Sequence, residues 1–206
     1  LTEAQSAIKD ALEKICSKYD DHYWLKVDDS GKFPEAFVAD IAAGGWLGVA
    51  MPEQYGGAGL GLTEAALMMQ TVAQSGAGFS GASAIHLNIF GLMPIVKFGT
   101  EAQKERFLPR AMSGEDKTCF AVTEPNSGLD TASLETRAER TNDGYRITGR
   151  KIWTTNAQRA NKMLIIARTT PKDQAKRPTD GLSLFYVDFD RSKIEAQPIP
   201  KMGRKA

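Results

Sequence analysis

Cys119-Phe120-Ala121-Val122-Thr123-Glu124-Pro125-Asn126-Ser127-Gly128-Leu129-Asp130 is the stretch on which the fold turns. Phe120-Ala121-Val122-Thr123 reads as a strand, and its end opens into Glu124-Pro125-Asn126-Ser127-Gly128, where proline and glycine force the chain out of a sheet. Before this stretch the apolar residues recur at helical spacing. After it they alternate. The change falls near Gly114, so we expect a helical domain over 1–114 and a second domain, built of strands, over 115–206.

Working back toward the N-terminus, the helical signals are local and chemical. Thr2-Glu3-Ala4-Gln5 predicts a capping box, followed by Ile8, Leu12 and Ile15 on one face. Phe33-Pro34-Glu35 predicts a second start, with proline at the first helical position and Gly44-Gly45 as the stop. A third helix begins at Thr63 and carries Met68, Met69 and Val72. A fourth covers Ala82 to Phe98, bent or broken near Pro94. Thr100-Glu101-Ala102-Gln103 is another capping box, leading to Phe107 and Leu108.

Working forward, Leu134, Thr136 and Ala138 alternate with charged residues. Asn142-Asp143-Gly144 then turns the chain into Tyr145-Arg146-Ile147-Thr148, a hairpin. Met163 to Ala167, Leu182 to Phe189 and Ile194 to Ile199 read as further strands, and Pro171 to Asp180 as a mobile loop. Strands separated by turns rather than helices favour a mostly antiparallel sheet or small barrel, so the fold class expected is α+β, a helical bundle followed by a β-barrel.

Composition narrows the partners. With 26 Lys and Arg against 25 Asp and Glu, the net charge of +1 gives no argument for nucleic acid, and the basic groups at Lys172 to Arg177 and at Lys201, Arg204 and Lys205 read as solvated charge. Cys16 and Cys119 stand far apart, which speaks against a disulfide framework or zinc site and for a reducing compartment, cytoplasm or mitochondrial matrix. The apolar run Ile41 to Met51 is too short and too rich in glycine to span a bilayer. A first residue Leu1 in place of methionine implies processing or trimming.

One motif misleads. Gly76-x-Gly78-x-x-Gly81 matches a dinucleotide fingerprint, and Glu101 even falls about 20 residues beyond it. Its glycines follow a helix and Glu101 sits in a capping box, so the motif reads as a loop between helices.

The turn after Thr123 leaves N–H groups that can bind carbonyl or phosphate oxygens. Thr123 itself either caps an ordinary turn or donates its hydroxyl to a ligand. A second segment, Lys151-Ile152-Trp153-Thr154-Thr155-Asn156, is expected near the end of a strand beginning at Tyr145. Its tryptophan either closes a barrel end or offers a flat face to an aromatic ring, with a threonine hydroxyl at that ring's polar edge. Together the two segments suit a flavin. Glu124, within the turn motif, reads as structural.

Phe120-Ala121-Val122-Thr123-Glu124-Pro125 combined with Ile152-Trp153-Thr154-Thr155-Asn156 resembles the middle domain of the acyl-CoA dehydrogenase family. Met51-Pro52-Glu53-Gln54-Tyr55-Gly56-Gly57 and Phe98-Gly99-Thr100-Glu101-Ala102-Gln103-Lys104 resemble the same family's helical N-terminal domain. The resemblance implies FAD as cofactor, an acyl-CoA substrate, an electron-transfer partner and a homo-oligomer, commonly a tetramer. It implies that Phe120, Val122 and Thr123 line the flavin, that Trp153 covers a ring face, and that Thr154 and Thr155 meet its edge. In that family a carboxylate removes the α-proton of the thioester while a hydride leaves the β-carbon. The carboxylate belongs to a third, helical domain, expected beyond Ala206, so no residue of this chain is assigned as catalytic. The family's motif has serine directly before the loop aspartate; Leu129 stands there instead, and Ser127 is the candidate to compensate. A flavin oxidase or monooxygenase of the same fold, and a flavin-free scaffold or acyl-carrier-binding protein, are the alternative readings.

Overall fold

Thr2 opens the first helix by the predicted chemistry: its hydroxyl accepts from the Gln5 N–H, and the Gln5 side chain returns to the Thr2 N–H. The structure is a computed structural model that describes residues 1–200; the basic group Lys201, Arg204 and Lys205 lies outside the described residues. Two units emerge, Leu1–Lys117 and Thr118–Ile199.

The first unit is helical: α1 Glu3–Cys16, α2 Asp21–Ser30, α3 Glu35–Ala43, α4 Leu62–Val72, α5 Gly78–Phe90, α6 Met93–Phe98 and α7 Glu101–Met112. Leu12, Phe37, Ile41, Leu47, Met68 and Ile85 are fully buried in one apolar cluster, with Tyr19 and Trp24 packed against Phe37 at ring separations of 5.5 and 5.0 Å. Pro34 precedes α3 as its cap rather than occupying its first turn. The helix predicted over Ala82–Phe98 begins earlier, at Gly78, and breaks at Gly91-Leu92, so that Pro94 falls in the first turn of α6, where its missing N–H costs nothing. The dinucleotide-like glycines lie on a wide helical turn, Ala73–Ala77, and at the start of α5. Gly76 there has φ 95°, a kink between helices rather than a strand-to-helix turn. By length and composition the helical run Leu62–Phe98 could cross a membrane; over half of its most apolar window is buried within the protein.

The second unit is a five-stranded sheet: β1 Thr118–Ala121, β2 Arg137–Thr141, β3 Gly144–Thr148, β4 Lys162–Arg168 and β5 Leu182–Asp188. The predicted hairpin forms, with Thr141 opposite Gly144 across a two-residue turn. β5 runs antiparallel along the whole of β4. The other edge of β4 pairs in parallel, first with β1 (Thr118 opposite Lys162) and then with β2 through Arg137 and Arg168. The sheet is therefore mixed, with antiparallel pairs β2–β3 and β4–β5 joined by parallel pairing of β4 with β1 and β2, and no pairing among the described residues closes it into a barrel. The parallel pairings and the open edge depart from the expectation because turns between neighbouring strands dictate only local pairing. β1 and β4 are joined by a long connection that satisfies the length a parallel pair needs without an α-helix. Ile194 to Ile199 forms no strand, and β1 and β3 stop at Ala121 and Thr148, leaving the first motif segment after Ala121 and the whole of the second outside the strands.

Candidate functional site

The chain leaves β1 at Ala121, and the two motif segments meet immediately afterwards. The Ile152 N–H donates to the Thr123 carbonyl at 2.9 Å, and the Lys151 ammonium donates to the Val122 carbonyl at 2.9 Å. Residues nearly thirty positions apart are thus fastened main chain to main chain.

Beneath this contact lies a buried charge. The Glu124 carboxylate accepts from Lys151 at 2.9 Å and from the N–H groups of Glu135 and Thr136 at 2.7 and 2.8 Å. Both charged side chains are less than a tenth exposed. Burial alone would raise the Glu124 carboxyl, but the Thr136 side chain, the Glu135 N–H, Lys151 and the Thr136 N–H outweigh it and hold it at about 2. The Thr136 hydroxyl contributes by proximity, since it completes no regular hydrogen bond. Burial pulls Lys151 below its usual range, against the opposing pull of Glu124. Gly149 crosses so close to Thr136 that an added Cβ would fall 2.3 Å from the Thr136 hydroxyl oxygen. Glu124 is therefore a structural anion, as its place in the turn suggested, and no proton acceptor near neutral pH.

Two residues past Lys151, Trp153 takes φ 60°, the left-handed region, and Asn156 takes φ 64°. For a bulky side chain this costs roughly 1–2 kcal/mol and persists only where the surroundings impose it. Its side chain is left outside, 64% exposed. On the far side of the loop, Arg191 donates to the carbonyls of Ala157, Gln158 and Ala160 at 3.1, 2.9 and 3.0 Å. The loop bearing Trp153, Thr154 and Thr155 is pinned at both ends.

The Glu124–Asp130 turn is pinned as well. Glu124 and Ser127 exchange main-chain hydrogen bonds at 2.9 and 3.1 Å, and the buried Ser127 hydroxyl donates to the Asp130 carbonyl at 2.5 Å. Ser127 spends its proton inside the loop, so it shapes the turn. Leu129 is fully exposed. Farther on, Arg168, buried at the end of β4, donates to the carbonyls of Ala132, Leu134 and Pro178. Through Pro178, and through Lys172 donating to Ser133, the 171–180 loop is tied to this region.

Of the residues singled out in sequence, Phe120, Val122, Thr123, Thr154 and Thr155 are half-buried around the junction. Among the described residues, the hydroxyls of Thr123, Thr154 and Thr155 make no hydrogen bond. Sequence reasoning missed Lys151, Arg168 and Arg191, each of which reads in the chain as one more scattered cation.

Residues 2–115 match the family model described as acyl-CoA dehydrogenase, N-terminal domain, and residues 119–206 the one described as acyl-CoA dehydrogenase, middle domain. Among curated proteins, the chain is 31% identical to isovaleryl-CoA dehydrogenase, mitochondrial, of Pongo abelii, over 91% of this chain and 44% of that protein. It is 33% identical to probable acyl-CoA dehydrogenase YngJ of Bacillus subtilis, over 98% of this chain and 53% of that protein. Among solved structures, the prolyl acyl carrier protein oxidase AnaB superposes with TM-score 0.88 at 28% identity, covering all of this chain and 54% of that one. Butyryl-CoA dehydrogenase of Megasphaera elsdenii gives 0.78 at 26% identity, over 91% and 49%. The chain spans about half the length of the curated relatives it matches. With both of its units matched in order by family models, the chain belongs to the acyl-CoA dehydrogenase family.

Proposed function

We propose that this chain is the helical N-terminal and middle portion of an FAD-dependent acyl-CoA dehydrogenase, in which the Thr123 and Trp153 segments hold the flavin. The observation that carries the reading is the direct fastening of Thr123 to Ile152, which sets an outward-facing indole beside unbonded threonine hydroxyls. That donor set fits a flavin: a flat aromatic face for the ring, and hydroxyl donors for its carbonyl and nitrogen edge. When bound, FAD supplies the two-electron acceptor for α,β-dehydrogenation of the thioester. Trp153 then covers a face of the ring, Thr123 and Thr155 orient its polar edge, and Phe120 and Val122 exclude water beside it. Ser127 keeps the Glu124–Asp130 turn in shape, holding ready those of its N–H groups that are not bonded within the turn.

None of the residues at this junction is a base for the α-proton, since Glu124 is paired and buried. An electron-transferring flavoprotein as acceptor, and a homo-oligomeric assembly, complete the proposal. The intact protein is expected to purify with yellow flavin absorption that bleaches anaerobically on addition of isovaleryl- or butyryl-CoA. Protein that takes up no FAD even on reconstitution would overturn it.

A second reading, a flavin oxidase acting on a carrier-bound thioester, draws support from the whole-chain match to the prolyl acyl carrier protein oxidase and from exposed Leu129. Rapid reoxidation of the reduced flavin by air with peroxide release would favour it.

A further inference from the structure

We propose that Lys151 and Glu124 form a positioning device for Trp153, which imposes the left-handed turn that presents the indole to a flat ring; the inference rests on the flavin reading above. Three observations converge on it. First, Trp153 occupies a backbone conformation that a tryptophan does not choose on its own, so something outside the residue must impose it. Second, the side-chain fastenings immediately before it belong to this pair, and they flank one main-chain bond. Lys151 reaches the Val122 carbonyl and the Glu124 carboxylate, and the Ile152 N–H reaches Thr123 between them. Third, Glu124 spends its remaining acceptor capacity on the Glu135 and Thr136 N–H groups. The pair therefore ties three chain segments, 122–124, 135–136 and 151–152, into one node.

A buried ion pair is a poor source of net stability and a good source of geometry, because only one arrangement satisfies every donor and acceptor at once. Here the direction fixed is that of the peptide entering Trp153. With Lys151 replaced by an apolar chain, the Val122 carbonyl and Glu124 lose their shared donor, and residues 152–153 are free to relax toward ordinary backbone angles. Lys151 acts on a ligand only through Trp153. It does not touch the ring.

This predicts non-additivity. In the intact protein stripped of flavin, FAD is titrated into wild type, Lys151→Met, Trp153→Gly and the double variant, following quenching of flavin fluorescence. Trp153→Gly is expected to raise the dissociation constant about tenfold, and Lys151→Met to raise it several-fold. The double variant should match Trp153→Gly within about twofold, because the indole through which Lys151 acts is already gone. An unchanged constant in Lys151→Met, or a double variant showing the product of the two single effects, would overturn the proposal.

A flavin-free measurement separates this inference from the reading beneath it. Anisotropy and acrylamide quenching of Trp153, taken as the difference from Trp153→Gly, should show a more mobile and more quenchable indole in Lys151→Met. If wild type binds no FAD but this change appears, the flavin reading fails and the positioning device stands. If wild type binds FAD and the indole is unaltered, the positioning device fails alone. Should Lys151→Met not fold, Lys151→Arg carries the test: it keeps a donor for Val122 and Glu124 and should bind FAD as wild type does, and affinity as weak as that of Trp153→Gly would overturn the proposal.

Discussion

The deepest side chains of the helical unit, Leu12, Phe37, Ile41 and Met68, are held by one another's apolar surface, whereas the loops of the sheet unit are held by cations, buried at Arg168, half-buried at Lys151 and exposed at Arg191, reaching main-chain carbonyls. Lys151, Arg168 and Arg191 each do this at a different loop. The contrast follows from what each region must achieve. Helices satisfy their own backbone groups and need only an apolar stripe to pack, while an irregular loop leaves carbonyls that must be met by something. Using charge for that purpose fixes direction as well as position, which suits a region that carries an exposed indole and three half-buried threonines without hydroxyl partners.

The contrast can be broken by deletion. Phe37→Ala should cost the helical unit about 3–5 kcal/mol through cavity formation and lost burial, as read by urea unfolding. Glu124→Ala should cost the sheet unit a similar amount, about 3–5 kcal/mol, but for another reason: it strands the Lys151 charge in the interior. Glu124→Gln combined with Lys151→Met should therefore be more stable than Glu124→Ala alone, whereas no second substitution that removes a charge should rescue Phe37→Ala. A double variant less stable than the single would show that the pair is a net source of stability and blur the distinction.

Acid sharpens the comparison at a smaller magnitude. Glu124 titrates at about 2 in the folded chain against 4.5 for an ordinary glutamate. A depressed carboxyl contributes stability that is fully present above the unfolded value and is lost as pH falls toward the folded one. The window is therefore from about pH 5 down to about pH 2, and the loss attributable to this group is about 3 kcal/mol. Glu124→Gln should show a shallower acid limb in unfolding free energy over that window. Phe37→Ala should shift the whole curve without changing its slope there.

What the sequence made legible divides along the same line. The capping boxes at Thr2 and Thr100 form as read, because each signal sits within four residues. Helix α2 escaped notice even though Asp20 caps it through the Tyr23 N–H: it buries only Trp24, so no apolar period marks it. In the sheet unit the Asn142-Asp143 hairpin was legible for the same local reason, but the parallel pairing of β1 with β4 was not, nor was the absence of a strand over 194–199. Alternation says that a segment can pair; it does not say that an edge awaits it. The two motif segments were recognisable as a bed, yet the Lys151–Glu124 pair beneath them joins positions 27 apart and follows no period.

The smallest effect tests the comparison at the residue where the two demands conflict. If the left-handed turn at Trp153 is imposed by its surroundings, glycine should occupy it without strain, and Trp153→Gly should stabilise the sheet unit. The gain is bounded on one side by the strain relieved, and offset on the other by the extra freedom glycine brings to the unfolded chain, so about 1 kcal/mol is expected. Little packing is lost, because 64% of the side chain is already exposed. The same substitution in the helical unit, Trp24→Gly, removes a buried ring packed on Phe37 and should destabilise by several times as much. A tryptophan whose removal strengthens the fold is one that the fold does not keep for its own stability. If Trp153→Gly instead destabilises in urea titration, the indole is a packing residue, and its exposure outside the sheet is incidental.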